Sequence, residues 1–413
     1  MVGSLRKNLL KRKAAAGGHG AQGAARMGES APGSPLELLH LEAERHYRQG
    51  RPLEAIRAWK RLLRLDPGTR PTLWNRIGDA RDGLGDRRGA VSAYRRAVSL
   101  GRKFPLGWFN LANVYAASGN CRQALHSYRK ALSQDPEMVE AWNNLGGVYE
   151  KLGDLRAASR CYSRAMEHHA GGYEAWYNYG NLRVECGDLE AALEAYRQAL
   201  ALCREDARVW YNAGCVQSRL GRHLEAVQSY RRAVSLGSKD PAGWYNLGNA
   251  LMELQRNSEA IRAYRRALVL DDRDHEVWNN LGNAYSEVGR FSEAIACYRR
   301  CLEVRGDYHP AWNNLGNAYE DTGRHRSAVE CYDRALRIKG QPDPSYHFNR
   351  AVALALLGRV PEALEDLKRA ASRDQKLLGI RWEDSYPRVT NRGRRRPGRT
   401  GRREEPEVTP EQP

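Results

Sequence analysis

Asparagines recur through most of the chain at intervals of 34 residues, with one final interval of 35. A carboxamide oxygen accepts hydrogen bonds and its nitrogen donates two, so a row of carboxamides could pair with the backbone of an extended peptide of any sequence. Asparagine is also a mediocre helix former, so its repetition on a helix needs a reason. The eight candidate peptide-binding residues are Asn110, Asn144, Asn178, Asn212, Asn246, Asn280, Asn314 and Asn349.

The helix that must carry this row is marked by tryptophans spaced 34 residues apart, from Trp74 to Trp312. We number each repeat so that its tryptophan is position 4, which makes the asparagine position 6. Positions 7, 8 and 11 are usually Leu, Gly and Tyr, as in Leu145, Gly146 and Tyr149. Positions 4, 7, 8 and 11 form an i, i+3, i+4, i+7 stripe, which predicts a helix with one buried face.

A second helix is predicted in each repeat. Glycine recurs at position 15, as in Gly221, where a helix ends and the backbone turns with positive φ. A second apolar stripe follows at positions 20, 24 and 27, as in Ala226, Tyr230 and Ala233. In the seventh repeat position 15 is Gln255, which predicts either a strained positive φ or a rearranged turn that uses the nearby Asn257.

The pattern Trp-x-x-Leu-Gly-x-x-Tyr, followed by Ala, Tyr and Ala, resembles the tetratricopeptide repeat (TPR), and residues 244–250 are similar to its consensus. With a degenerate first and last unit, ten repeats cover residues 36–377, about four fifths of the chain. A single hairpin cannot bury its stripe, so the hairpins must stack. The fold class expected is all-α, a right-handed superhelical solenoid, and the resemblance implies that the first helices line its concave groove.

Positions 2, 6, 9 and 13 point away from the buried stripe and are expected to face that groove. Position 9 adds five more asparagines. The row resembles the asparagine ladder of O-linked N-acetylglucosamine transferases, which implies that position 6 binds peptide. The alternative is that positions 6 and 9 tie adjacent helices together, and the sequence leaves both open. The position-9 asparagines are Asn113, Asn181, Asn249, Asn283 and Asn317.

Charge is unevenly distributed over the repeat. The charged residues at positions 2 and 13 are more often acidic, as in Glu253 and Glu287, than basic, so the groove is expected to lean acidic. Positions 25 and 26 are mostly arginine, as in Arg231 and Arg232, and face away from the second stripe. We interpret these arginines as a solvated helix face and the aromatic residues at position 5 as packing residues.

No motif for catalysis, a cofactor or a metal is found, so the chain is expected not to be an enzyme. The cysteines at position 23 and Cys301 are interpreted as packing thiols. Only 36 residues follow the last repeat, too few for the catalytic domains of the transferases that the row resembles. Position 5 is never lysine, which argues against the family's clamp on carboxylate termini.

Composition bounds the remaining expectations. With 41% hydrophobic residues the chain can form a core, and its formal net charge of +18 admits acidic partners. The sequence contains no stretch of 18 apolar residues, so no transmembrane helix is predicted. The eight cysteines lack the pairing of a zinc site and the density of a disulfide scaffold. A reducing compartment, the cytoplasm, is therefore expected, with a nuclear or organellar address through the basic N-terminal arm as the alternative.

The ends of the chain differ from the repeats. Residues 1–35 are predicted to be a disordered basic arm rich in Gly and Ala, residues 378–387 a segment that caps the last hairpin, and residues 388–413 a disordered Arg-rich tail. The function expected is a scaffold or adaptor that binds an extended protein segment. The alternative is a nucleic-acid-associated protein that uses the basic outer face and the Arg-rich tail for weak contacts with anions.

Overall fold

The computed structural model describes residues 35–65, 70–167, 172–237, 239–338 and 344–373 of the 413-residue chain. The regular structure of these residues is entirely α-helical, and consecutive helices pair into ten hairpins. The chain divides into two compact units, Met1–Arg204 and Glu205–Pro413, each with five hairpins. The predicted all-α stack of helix-turn-helix repeats is confirmed.

Repeats 1 to 5 form the first unit, with an odd-numbered and an even-numbered helix in each. The helices are α1 (Pro35–Arg48), α2 (Pro52–Leu65), α3 (Arg70–Gly83), α4 (Arg87–Leu100), α5 (Pro105–Ala117), α6 (Cys121–Gln134), α7 (Val139–Lys151), α8 (Leu155–Met166), α9 (Gly172–Glu185) and α10 (Leu189–Leu202).

Repeats 6 to 10 form the second unit in the same order. The helices are α11 (Ala207–Arg219), α12 (His223–Ser235), α13 (Pro241–Glu253), α14 (Asn257–Leu270), α15 (His275–Glu287), α16 (Phe291–Val304), α17 (His309–Asp321), α18 (His325–Arg337), α19 (Ser345–Leu356) and α20 (Val360–Arg373).

Within a hairpin the two helices approach closely because glycine at position 8 faces tyrosine at position 24. A Cβ atom added to Gly146 would lie 2.6 Å from Cε1 of Tyr162, and one added to Gly282 would lie 2.5 Å from Cε1 of Tyr298. The tyrosine rings are almost fully buried. An alanine at either glycine would therefore push the helices apart or displace the ring.

Between hairpins, each even-numbered helix packs against the next odd-numbered helix of its unit. Successive odd-numbered helices from α3 to α9, and from α11 to α19, also contact each other, so one face of each of these stacks is lined by odd-numbered helices. In the second unit a continuous core that includes Tyr230, Leu247, Leu281 and Tyr332 runs through the stack. The position-6 asparagines therefore stand on a row of helices in mutual contact.

The turns inside the hairpins follow the prediction. Position 15 has positive φ, 74° at Gly289 for example, and Gln255 adopts φ 57°. The turn is not rearranged, because the Gln255 and Arg256 amides donate to the same carbonyl positions as in the eighth repeat. Asn257 is instead the first residue of α14. The seventh repeat therefore keeps the common turn at the cost of a left-handed non-glycine residue.

The predicted outer boundaries can be compared only in part. Pro35, expected at the end of the N-terminal arm, is the first residue of α1, a position that suits proline because its missing N–H would have no partner there. The rest of the arm, the capping segment 378–387 and the Arg-rich tail 388–413 lie outside the described residues.

Candidate functional site

The eight candidate asparagines all lie on odd-numbered helices and are half-buried. Three belong to the first unit, on α5, α7 and α9. The other five belong to the second unit, on α11, α13, α15, α17 and α19. Within each unit they form a row along the face that the odd-numbered helices line.

The amide nitrogen of position 6 ties each repeat to the one before it. Asn314 Nδ2 donates to Asn279 Oδ1 at 3.2 Å and to Asn283 Oδ1 at 3.0 Å, which are positions 5 and 9 of the preceding repeat. Asn349 makes the matching bonds to Asn313 at 3.1 Å and Asn317 at 3.3 Å. Both amide protons are used, so the tie between adjacent helices, which the sequence left as an alternative to peptide binding, is present in the structure.

The position-6 asparagines of the seventh and eighth repeats follow the same geometry, with tyrosine as the acceptor at position 5. Asn280 donates to Tyr245 OH at 3.2 Å and to Asn249 Oδ1 at 3.1 Å. Asn246 donates to Tyr211 OH at 3.0 Å, with Cys215 Sγ 4.0 Å away at position 9. Burial, followed by the neighbouring Cys215, raises the pKa of Tyr211 to about 12. Its phenol therefore stays neutral at physiological pH.

Position 9 receives a second hydrogen bond from the core of its own repeat. Tyr298 OH donates to Asn283 Oδ1 at 2.8 Å, and Tyr332 OH donates to Asn317 Oδ1 at 2.8 Å. The same bond joins Tyr128 to Asn113 at 2.6 Å. Each position-9 carbonyl thus links the buried tyrosine of one repeat to the asparagine of the next.

The first unit keeps only part of this network. Position 9 of the second repeat is Asp79, which accepts from Tyr94 OH at 2.7 Å and from Asn110 at 3.3 Å. Asn144 donates to Asn113, and position 5 of the preceding repeat is Phe109, which has no polar atom to accept a second bond. Its Nδ2–Oδ1 distance is 3.0 Å.

Two further rungs of the first unit also differ. Asn178 donates to Asn143 at 2.9 Å and has no position-9 side chain to reach, since Gly147 stands there. At the start of the chain the pair is ionic, with Arg76 Nε 3.5 Å from Glu44 Oε1. The pairing of positions 6 and 9 therefore persists even where neither residue is asparagine.

Sequence analysis missed the part played by asparagine at position 5. Asn75, Asn279 and Asn313 are buried, and each accepts from the position-6 asparagine of the next repeat. A signal was present, since position 5 is always Asn, Tyr or Phe from the second repeat onward. Two of these three types carry an oxygen that can accept a hydrogen bond.

Two kinds of polar group take no part in this network. In the rungs that join Asn283 to Asn314 and Asn317 to Asn349, the carbonyl oxygen at position 6 and the amide nitrogen at position 9 have no partner among the described residues. Both groups are on half-buried side chains. Each of these rungs thus retains one acceptor and one donor.

The neighbours of the row confirm two interpretations. Position-5 aromatic rings pack against the position-24 tyrosine of their own hairpin, with centroids 6.2 Å apart for Tyr245 and Tyr264. Glu253 and Glu287 at position 13 are exposed, and so is Glu276 at position 2. Carboxylates therefore flank the row in the second unit.

The cysteines at position 23 and Cys301 are buried, as expected of packing residues. Burial raises the pKa of the Cys161 thiol to about 11 and that of the Cys297 thiol to about 12. These thiols are protonated at neutral pH and are not nucleophiles.

The outer arginines are exposed, as expected, and some of them also contact aromatic side chains. Arg95 Nε donates to Tyr115 OH at 2.8 Å, and Arg299 Nη2 donates to Tyr319 OH at 2.5 Å, each across a boundary between repeats. Arg334 lies over the Trp312 ring, 4.8 Å from its centroid. Part of the positive outer face thus takes part in packing.

Within the described residues there is no group of three or more His, Cys, Asp or Glu side chains placed to hold a metal ion. A search of the same residues for a helix long and apolar enough to cross a membrane gives none.

Comparison with solved structures gives helical repeat proteins. YrrB, described as a TPR protein with an unusual peptide-binding site, is 26% identical over 48% of this chain and 99% of its own, with a TM-score of 0.43. The C-terminal part of a TPR protein from Cytophaga hutchinsonii is 15% identical over 60% of this chain and 99% of its own, with a TM-score of 0.50. The second likeness shows the fold alone. No curated protein sequence matches the chain.

Family models cover most of the repeats. Residues 40–103 and 109–158 match a tetratricopeptide repeat model. Residues 169–379, just over half of the chain, match the model of the C-terminal domain of cilia and flagella-associated protein 70, a TPR domain. Such repeats are generally non-catalytic scaffolds for protein interaction, which supports that general role here. The chain belongs to the tetratricopeptide repeat family.

Proposed function

We propose that the chain is a scaffold that binds an extended segment of a partner protein along the odd-numbered helices, and that the asparagines read the backbone of that segment. One observation carries the proposal. The rungs at Asn283–Asn314 and Asn317–Asn349 each keep one carbonyl and one amide beyond those used between repeats. A peptide unit offers one N–H and one C=O, so it matches this pair whatever the ligand's side chains are.

The spacing of the row fits an extended ligand. Helices in contact lie about 8–10 Å apart, and an extended chain advances about 3.3 Å per residue. One repeat therefore corresponds to about three ligand residues, and a peptide of about 12 residues would span four repeats. Many weak, regularly spaced contacts would supply the affinity.

The charge next to the row favours basic side chains in the ligand. Glu253, Glu276 and Glu287 are exposed beside it in the second unit, whereas Arg208 and Arg219 stand at the same positions of the sixth repeat. We therefore place the strongest binding on repeats 7 to 10. Exposed charge of this kind sets partner preference and association rate more than affinity.

An array of 12-residue peptides tests the proposal. The tightest binder is resynthesised with single backbone N-methyl groups, and separately with single side chains changed to alanine. We expect N-methylation at every third residue or so to abolish binding, while most alanine changes have little effect. If alanine changes abolish binding and N-methylation does not, side chains carry recognition and the asparagines do not read backbone.

Extract from ciliated cells is a natural second source of ligands, given the match to a ciliary protein domain.

The nucleic-acid alternative gains no support from the described residues. Arg231 pairs with Glu259 at 2.5 Å, which offsets its charge, and Arg95 and Arg299 each use a donor on a tyrosine. The Arg-rich tail, 388–413, lies outside the described residues. Binding that weakens steeply with salt and disappears on deletion of the tail would restore that alternative.

A further inference from the structure

A tyrosine at position 11 fills the space between neighbouring hairpins in four repeats. In three of them the arginine at position 25 of the preceding repeat covers the ring, whereas Arg290 of the same repeat covers Tyr285. The Arg95 guanidinium carbon lies 5.8 Å from the Tyr115 ring centroid, and that of Arg299 lies 5.9 Å from the Tyr319 centroid. The arginine also donates to the phenol oxygen. The four tyrosines are Tyr115, Tyr149, Tyr285 and Tyr319.

The seventh repeat lacks this ring. Position 11 is Leu251, and the facing position 23 is Ala263, where the eighth and ninth repeats carry Cys297 and Cys331. Both walls are therefore smaller than in the neighbouring repeats. A cavity of about 400 Å³ opens at this place, a volume within the range of small-ligand sites.

The cavity has an apolar floor and a charged rim. Val234, Trp244 and Leu247 line it together with Leu251 and Ala263. Arg231, which stands at position 25 and has no tyrosine to cover, reaches Glu259 at 2.5 Å on the rim. Apolar walls beneath a guanidinium match the surroundings of the tyrosine ring in the other repeats.

We propose that the Leu251 cavity binds a tyrosine side chain supplied by a partner protein, which replaces the ring that this repeat lacks. The phenol ring packs on Leu251, Val234 and Trp244, and its oxygen accepts a hydrogen bond from Arg231. The site lies on the stripe of positions 4, 7 and 11, not on the asparagine row. This proposal is therefore independent of the proposed peptide groove.

Titration of the full chain with p-cresol, the side-chain analogue of tyrosine, tests the site by ligand-observed NMR. We expect one site in the wild type and about tenfold weaker binding of toluene, which cannot accept the hydrogen bond from Arg231. Leu251→Tyr and, from the opposite wall, Ala263→Leu should each abolish binding while the melting temperature holds or rises. Absence of binding to the wild type, or binding unchanged in both variants, would overturn the proposal.

The matched control creates the cavity elsewhere. Tyr319→Leu combined with Cys331→Ala reproduces the seventh repeat in the ninth, next to Arg299, and should add a second p-cresol site. A stoichiometry that stays at one contradicts the assignment of the cavity to the missing ring. Acetyl-Gly-Tyr-Gly-amide should bind at least as tightly as p-cresol, because a partner presents tyrosine from a backbone. If only p-cresol binds, the cavity does not admit a side chain of a partner.

Discussion

The two units use the same repeat positions for different hydrogen-bond chemistry. In the second unit, position 9 is asparagine in repeats 7, 8 and 9, and each carbonyl accepts from a core tyrosine and from the next repeat. In the first unit, Asp79 fills the role in one repeat and Gly147 leaves it empty in another. A tie between repeats thus needs only an acceptor at position 5 or position 9, whereas reading a peptide also needs the amide that asparagine adds at position 9.

The strength of the tie should therefore differ between the units. Asn280, Asn314 and Asn349 together donate six hydrogen bonds to preceding repeats. At about 1 kcal/mol for each bond, changing all three to alanine should cost about 6 kcal/mol. Denaturant unfolding followed by tryptophan fluorescence measures the loss.

The matched variant in the first unit changes Asn110, Asn144 and Asn178 to alanine. These residues donate four such bonds, so the expected cost is about 4 kcal/mol. An equal or larger loss of stability in the first-unit variant would mean that the number of hydrogen bonds does not determine how much stability each variant loses. An unchanged stability in both variants would mean that the asparagines do not tie the repeats.

The last hairpin is the exception within the second unit, because an ionic network ties it to the ninth repeat. Arg350 bonds Asp366 at 2.6 Å and also bonds Asp333, and His347 Nδ1 lies 3.0 Å from Asp366. Asp366 is 2% exposed. Removing one partner of a buried pair costs about 3–5 kcal/mol, so Asp366→Asn should open this hairpin to amide exchange. Glu365→Gln, at an exposed pair with Arg369, is the control and should change little.

The same network sets a pH dependence. Burial alone would raise the pKa of Asp366, but the hydrogen bonds from Arg350 and His347 outweigh it and hold the pKa below its ordinary value. A carboxyl group with a lowered pKa stabilises the folded state above its unfolded pKa, about 3.9, and loses that effect as the pH falls through the folded pKa. The last hairpin should therefore open in acid below about pH 4, and Asp366→Asn should remove this step. Persistence of the step in the variant would assign it to other carboxylates.

A smaller effect is expected at the turn of the seventh repeat. Gln255 has φ 57°, whereas the eighth repeat has Gly289 with φ 74° and open space around it. Gln255→Gly should stabilise the protein by about 1 kcal/mol, and Gly289→Gln should destabilise it by a similar amount. Residues 252–258 should also exchange amide protons faster than the matching segment of the eighth repeat. A destabilising Gln255→Gly would show that the glutamine side chain compensates for its backbone.

Much of the fold could be predicted because it depends on positions within one repeat. The 34-residue spacing, the apolar stripes of both helices and the positive φ at the position-15 glycines are local requirements that can be predicted from the sequence, whereas two alternatives were left open at Gln255. The tie between repeats was only one of two alternatives. The pattern places Asn314 on a helix face, but the acceptors Asn279 and Asn283 belong to another hairpin, and their distances depend on how the hairpins stack.

The cavity at Leu251 was missed for a related reason. A leucine at position 11 is compatible with a buried stripe, so the sequence alone shows no defect. Only the packed structure shows that Arg231 and Ala263 line the same cavity. The contact of the exposed Arg299 with Tyr319 in the next repeat was likewise not predicted, because it too joins two hairpins.

The most direct test of the central claim, that these asparagines read the ligand backbone, is to change Asn283 and Asn317 together to aspartate. This change should also have the smallest effect on stability. The carboxylate keeps both accepted hydrogen bonds, as Asp79 does with Tyr94 and Asn110, but loses the amide that would read the ligand. A neutral 12-residue peptide serves as the ligand, so the added charges have little to attract. The account predicts a free energy of unfolding within about 0.5 kcal/mol of wild type and at least about tenfold weaker peptide binding. Full binding by the aspartate variant, or a stability loss as large as that of a variant with alanine at both Asn283 and Asn317, would contradict it.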